Sequence, residues 1–317
     1  MNNQINQLIL QRFGIMFLTL LILSFAIFGI TQFLPGDVAE ILLDQANTPE
    51  AAEALRDAMG LNEPAITRYL KWLIGLFQGD FGNSYVTGEP TVNLVEGRLA
   101  NTLRLALVAS AIAVPPALAL GIWAALYQGT MFDRIISGVT VGVVSIPEFL
   151  VATMAVLVFA VYLKWLPALS YASEISSVWD MLRIFAMPVI TLVCVNSAFI
   201  IRTTRAAVVE TLSAPYCEMA RLKGASRIRT VLVHALPNAY GPIANAIALS
   251  QSYLLGGVII IETIFNYPGI ARLMVDAVAT RDLPLIQACA MIFCFGYLIL
   301  TLIADVISIL SNPRLRK

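Results

Sequence analysis

Long apolar runs, each about the length of a membrane crossing, recur along the whole chain, and they constrain its fold more than any other feature. They fall at residues 13–34, 103–127, 135–162, 184–201, 243–265 and 283–310. A helix of roughly 20 apolar residues crosses a hydrocarbon core, where water cannot satisfy the backbone and a helix satisfies it internally. Only 13% of the residues are charged while 59% are hydrophobic, against about 25% charged in soluble domains. So little charge does not coat a water-facing surface of this size. The expected fold is an all-α membrane protein of about six transmembrane helices. A net charge of zero gives no electrostatic case for nucleic acid.

The first run has a polar lead and Arg12 before it, as a signal peptide would. It is longer than a signal core and meets Pro35-Gly36-Asp37 where a small-residue cleavage site would stand. An uncleaved first span is expected. Residues 35–100 form the largest polar region. Ten acids, among them Asp37, Glu40 and Asp44, outnumber Arg56, Arg68, Lys71 and Arg98 there. Helices are expected at 49–59 and 63–77, with Gly60, Gly79 and Gly82 as breaks. The second is amphipathic, with Ile66, Tyr69, Leu70, Leu73 and Leu76 on one side, and would lie on the membrane surface or against the bundle.

Basic residues set the orientation. Between the fourth and fifth runs stand Arg202, Arg205, Arg221, Lys223, Arg227 and Arg229 against Glu210 and Glu218. The tail carries Arg314, Arg316 and Lys317. Both regions are expected in the cytoplasm, and an even span count puts the N-terminus there too, with residues 35–100 outside. The expected organisation is 1–34 for the tail and first span, 35–100 for the outer (periplasmic) segment, 101–310 for the core with a cytoplasmic loop at 206–240, and 311–317 for the tail.

Enzyme chemistry finds little support. His234 is the sole histidine, so no H-E-x-x-H site exists, and Cys194, Cys217, Cys289 and Cys294 form no C-x-x-C pair. There is no G-x-G-x-x-G or Walker A sequence, so any ATP would be bound by another chain. No catalytic residue, metal or cofactor is expected. Three acids nevertheless fall in or beside apolar runs, where a charge costs at least ~2.5–3.5 kcal/mol at the bilayer centre. Glu148, after Pro147 in the third run, and Glu262, before the 266–268 turn, are candidates for a translocation path or outer gate. A proton relay is a second functional reading, a helix-end salt bridge or a proton retained on burial is the structural one, and a structural role is favoured for Asp305 near the chain end. Prolines at 115, 116, 147 and 188 would kink their helices, and Gly256-Gly257 would permit close helix approach.

Residues 216–238 read as a helix–turn–helix. Ser213 is a reasonable N-cap with Pro215 in the first turn, and Gly224 suits a left-handed stop. Ser226 would cap a second helix ending before Pro237, with Ile228, Val231, Leu232, Ala235 and Leu236 along one face. Such a pair either rests on lipid headgroups or serves as a handle for a partner.

This segment resembles the EAA loop of bacterial ABC-importer permeases, with the pattern E-A-A-x3-G-x9-I-x-L-P. Glu218, Ala220, Gly224, Leu236 and Pro237 stand in register, while Met219 replaces the first alanine and His234 the isoleucine. The His234-Ala235-Leu236 form is similar to the dipeptide, oligopeptide and nickel branch. Further matches to its B-type subunits run in order along the chain: Pro35-Gly36-Asp37, 59–64, 68–73, 79–84, Ser145 with Pro147 and Phe149, Glu262-Thr263 with Phe265 and Pro268-Gly269, and Asp305 with Asn312-Pro313-Arg314. Residues 166–170 lack the glycine of that pattern. The resemblance implies a type I ABC importer permease fold working by alternating access. Glu218, Met219, Ala220, Gly224, Leu236 and Pro237 would then couple to the ATPase. The implied partners are a second permease subunit, two ATP-binding subunits and a periplasmic substrate-binding protein in the bacterial inner membrane. Implied cargoes are peptides, glutathione, nickel complexes or sugars. An ion-coupled secondary transporter or channel using the intramembrane carboxylates is the rival reading. An intramembrane protease is a further one, although no G-x-G-D pair or Ser/His dyad can be assembled.

Overall fold

The computed structural model describes residues 2–33, Val38, Leu43, 48–170 and 177–311. The Pro35-Gly36-Asp37 and Asn312-Pro313-Arg314 matches, the acids Asp37, Glu40 and Asp44, and the basic tail lie outside the described residues. Among the described residues the regular elements are helices, with one isolated bridge between Asn83 and Pro90. In chain order they are α1 Asn2–Gln32, α2 Pro49–Ala58, α3 Ala65–Gln78, α4 Thr91–Leu126, α5 Met131–Ser145, α6 Glu148–Tyr162, α7 Val178–Leu212, α8 Pro215–Leu222, α9 Arg227–Ile264, α10 Ile270–Thr280 and α11 Leu283–Ser311. Five of these (α1, α4, α7, α9 and α11) are long and apolar enough to cross a membrane, and α5 with α6 makes six if the bent pair counts as one crossing.

Three of the expected spans take a different form. The third is two helices meeting at 97°, where a single kinked one was expected. Ile146 (φ −92°, ψ 126°) and Pro147 (φ −58°, ψ 141°) are both extended. The proline ring disfavours helical geometry in the residue before it, so two consecutive residues leave the helix and the chain turns. Pro115, Pro116, Pro188 and Pro242 by contrast sit inside helices that continue through them. The fourth span is longer than its apolar run. Ser177 caps α7 by accepting from the Asp180 amide at 3.1 Å, and the helix extends for 35 residues. That is about 52 Å, well beyond a ~30 Å hydrocarbon core, so its last turns carry Arg202 and Arg205 past the apolar stretch. The fifth span does not begin after a separate loop helix. From Arg227 to Ile264 the helix is continuous, with a π-helical stretch at Thr230–Ala235 just before Pro237. Proline lacks an N–H and its ring crowds the carbonyl four residues back, and a local widening of the ladder accommodates both.

The chain divides into two compact units. One comprises the N-terminal residues to Met16, Arg104–Tyr267 and the C-terminal end from Tyr297. Its core has three clusters: one around Met187, Val258, Ile261 and Phe265; one around Val208, Cys217, Val231 and Ala235; and one around Ala117 and Ile200. Gly121 lets α4 and α7 touch, since a Cβ there would lie 2.8 Å from Thr204 Cβ and 2.9 Å from the Ile201 carbonyl. Arg12 pairs with Asp305 at 3.0 Å, so of the two structural readings of that acid the salt bridge is the one observed.

The other unit comprises Phe17–Leu103 and Pro268–Gly296. The amphipathic α3 packs on α1 through Tyr69 and Trp72 against Phe28, with ring centroids 5.5 and 5.9 Å apart. Its support is therefore α1. Ile66 and Leu70, expected on the same side as Tyr69, are exposed, so α3 is apolar on two faces. Asp282 holds the 84–85 turn, accepting from the Ser84 hydroxyl and from the Tyr85 amide at 3.1 Å. The α10 start is tied to α4, where the Ile270 amide donates to Thr102 Oγ1 at 2.9 Å.

Candidate functional site

The segment between α7 and α9 is fixed mainly by local chemistry. Pro215 occupies the first turn of α8, where its missing N–H costs nothing. The N-cap is Ala214 rather than Ser213, which instead closes α7 and donates its hydroxyl to the Glu210 carbonyl at 2.6 Å. At the other end the Ala225 amide donates to the Ala220 carbonyl at 3.0 Å and the Gly224 amide to the Arg221 carbonyl at 2.9 Å. These two bonds form a Schellman motif. Gly224 has φ +85° with open space around it, so glycine is needed there for its dihedral and not for room. Ser226 Oγ then accepts from the Arg229 amide at 3.3 Å and starts α9.

One face of α8 is anchored and the other is bare. Cys217 is fully buried against Val208, Leu212, Val231 and Ala235, and that burial raises its thiol pKa. Tyr216, Met219 and Leu222, three residues apart, are 46%, 53% and 76% exposed. Glu218 and Arg221 are exposed beside them, and Ala220 is half-buried. Leu236 packs against the cluster that holds Cys217, while Pro237 is exposed in the first turn after the π-helical stretch. The six candidate coupling residues thus share one corner of the unit, supported by α7 and α9.

The bend at Pro147 opens a second candidate region. Pro147 and Glu148 line a cavity of about 410 Å³ together with Asn196 and Arg202 of α7 and Ser250 and Tyr253 of α9. Glu262 does not line it. That residue is fully buried one turn before the Phe265–Tyr267 corner, where Asn266 has φ +50°. Its own carbonyl accepts from the Tyr267 amide at 2.9 Å. Burial and the Glu262 charge push the Tyr267 hydroxyl up to about 12 against the opposing pull of Arg104.

Residues 117–317 match the family described as binding-protein-dependent transport system inner membrane component. Residues 5–106 match the N-terminal family of the same transport systems. The chain belongs to this family. It is 34% identical over 290 residues to a protein of Sinorhizobium fredii named a probable peptide ABC transporter permease, covering 92% of this chain and 93% of that one. It is also 34% identical over 298 residues to the glutathione transport system permease protein GsiC of Escherichia coli, covering 94% and 95% respectively. The chain is therefore a permease subunit of an ABC importer, of the dipeptide and oligopeptide type, and a multi-pass protein of the bacterial inner membrane.

In this permease an ion pair near α8 was not legible in the sequence pattern. Asp133, 5% exposed at its side chain, is held by Arg205, whose Nη2 lies 2.8 Å from Oδ2. The Gly129 amide also donates to it at 2.9 Å. The pair joins the start of α5 to the last turns of α7, directly before α8. Arg205 reads in sequence as one of several orienting cations, and no pattern singles out Asp133. Their 72-residue separation is bridged only by helix packing.

Proposed function

We propose that this chain pairs with a second permease subunit in an ATP-driven importer of short peptides, and that α8 seats in an ATP-binding subunit. The observation that carries the coupling role is the bare apolar row Tyr216, Met219 and Leu222 on a helix whose opposite side is buried through Cys217. An exposed row of this kind, flanked by Glu218 and Arg221, suits a protein groove. Gly224 stops the helix, and Leu236 and Pro237 begin the span it would move. Closure of two ATP-binding subunits would pull α8, and the stiff α7 and α9 would carry that displacement to the Pro147 bend. Cargo would arrive from a periplasmic binding protein. Peptides are favoured as cargo by the relatives' names, and glutathione is itself a short peptide. ATP hydrolysis would belong to the separate subunits, in keeping with a sequence that has no Walker A motif.

Charge orients the chain in this reading. The Arg-rich 206–240 loop, the N-terminal tail at the start of the 1–34 region and the 311–317 tail lie in the cytoplasm, residues 35–100 lie outside, and 101–310 form the core. Leu222→Asp puts a charge into the row and is expected to cut recovery of ATP-binding subunits with the purified permease about tenfold or more. Membrane insertion should be unaffected. Full recovery of those subunits would refute docking through α8. Uptake into vesicles driven by a proton gradient without ATP would refute the importer mechanism itself.

A further inference from the structure

Glu148 opens α6 immediately after the bend and is half-buried. It makes no hydrogen bond or ion pair with any described residue. Its carboxyl group lies against Gly257 of α9, where an added Cβ would come within 3.0 Å of Cδ and closer still to Oε2. Gly256 beside it has open space, so Gly257 leaves room for a carboxylate and not for general helix contact. The same cavity holds Asn196, only 8% exposed, whose Nδ2 has no acceptor among the described residues. A buried amide donor without a partner is costly and marks a place for an absent acceptor. Arg202 lies on the same helix about 9 Å farther along its axis, exposed and without an ion pair among the described residues. The remaining wall is mostly apolar, with Phe199 and Tyr253 in edge contact at 5.8 Å.

Among the described residues the cavity therefore offers an unpaired carboxyl group, an unpaired amide donor and an unpaired cation. Its volume of about 410 Å³ lies in the range of small-ligand pockets. We infer that it is a cargo subsite for the backbone ends of a short peptide. The α-ammonium sits on Glu148, the adjacent carbonyl accepts from Asn196 Nδ2, and the terminal carboxylate meets Arg202. The inference rests on the proposed peptide cargo and adds where, and by which groups, this subunit holds it. It also explains why a carboxylate stands unpaired on an apolar wall, since cargo supplies the cation intermittently.

The test is uptake of labelled tri-alanine and N-acetyl-tri-alanine by the complete importer in proteoliposomes. The same binding protein serves every variant, so its own selectivity cancels between them. The intact importer is expected to prefer tri-alanine. Glu148→Gln should lower tri-alanine uptake about tenfold or more, as the loss of a charged hydrogen bond implies, and bring the preference close to unity. Gly257→Ala, which crowds the carboxylate while leaving it charged, should reduce the preference in the same direction. Equal loss of both peptides with the preference retained would mean a structural role and overturn the inference, as would unchanged tri-alanine uptake by Glu148→Gln. A wild-type importer taking up the two peptides equally would also overturn it. Absence of any ATP-dependent peptide uptake by the wild type would overturn the peptide reading itself, and the subsite with it.

Discussion

The α8 element and the Pro147 bend are both places where a helix ends, yet they are built differently. Around α8 each boundary is written in neighbouring residues: Pro215 in the first turn, Gly224 at φ +85° and Ser226 as the next cap. At the bend the break is local, since Pro147 forces it, but the resulting shape depends on distant residues. Gly257 of α9 makes room for Glu148, and Asn196 and Arg202 of α7 line the same cavity. In the proposed mechanism α8 is a lever that must keep its own shape while it is moved, and local caps provide that. The cavity, as a proposed pathway, would need walls that shift relative to each other, which only contacts between helices can provide.

From this contrast, removing a contact between helices should cost global stability, while breaking a cap should cost function at little global expense. The largest effect is expected for Asp133→Ala. It strands Arg205, 28% exposed at its side chain, and should destabilise the subunit by about 3 kcal/mol, read as a lower melting temperature in detergent. Gly121→Val comes next. Its side chain would meet Thr204 Cβ at 2.8 Å, and overpacking of this kind costs roughly 1–3 kcal/mol, again visible in thermal melting. The smallest effect on melting is expected for Gly224→Val. A β-branched residue at φ +85° is strained by about 1–2 kcal/mol, confined to the end of α8. That variant should insert and melt nearly as the wild type while its ATP-dependent uptake is lost. A fall in melting temperature as large as that of Asp133→Ala would erase the distinction between the two regions.

The α8 stop was legible because Gly224 is the one residue type that enters the left-handed region freely. The N-cap was not, because Ser213 and Ala214 differ by one place and the α7 end claimed the serine. The continuity of α9 through Pro237 was hidden for a related reason. A proline reads as a boundary in sequence, and the packing of Val231, Ala235 and Ala239 into one cluster holds the helix through it. Among the candidate pathway residues, Pro147 and Glu148 share a cavity while Glu262 stands apart. Both acids sit in apolar runs, and no spacing rule separates them.

By itself the sequence determined that this is a helical membrane protein of about six crossings, which family it resembles, and where its helix pair stops and restarts. Those features follow from run length, from the single dihedral that glycine permits, and from motif order, all of which act along the chain. The 97° turn at Pro147, the Asp133–Arg205 pair, the Gly121 contact and the company Glu148 keeps were decided by the tertiary structure. Each depends on which helix faces meet, and rotation of a helix about its axis is set by packing against its neighbours, which no local pattern encodes.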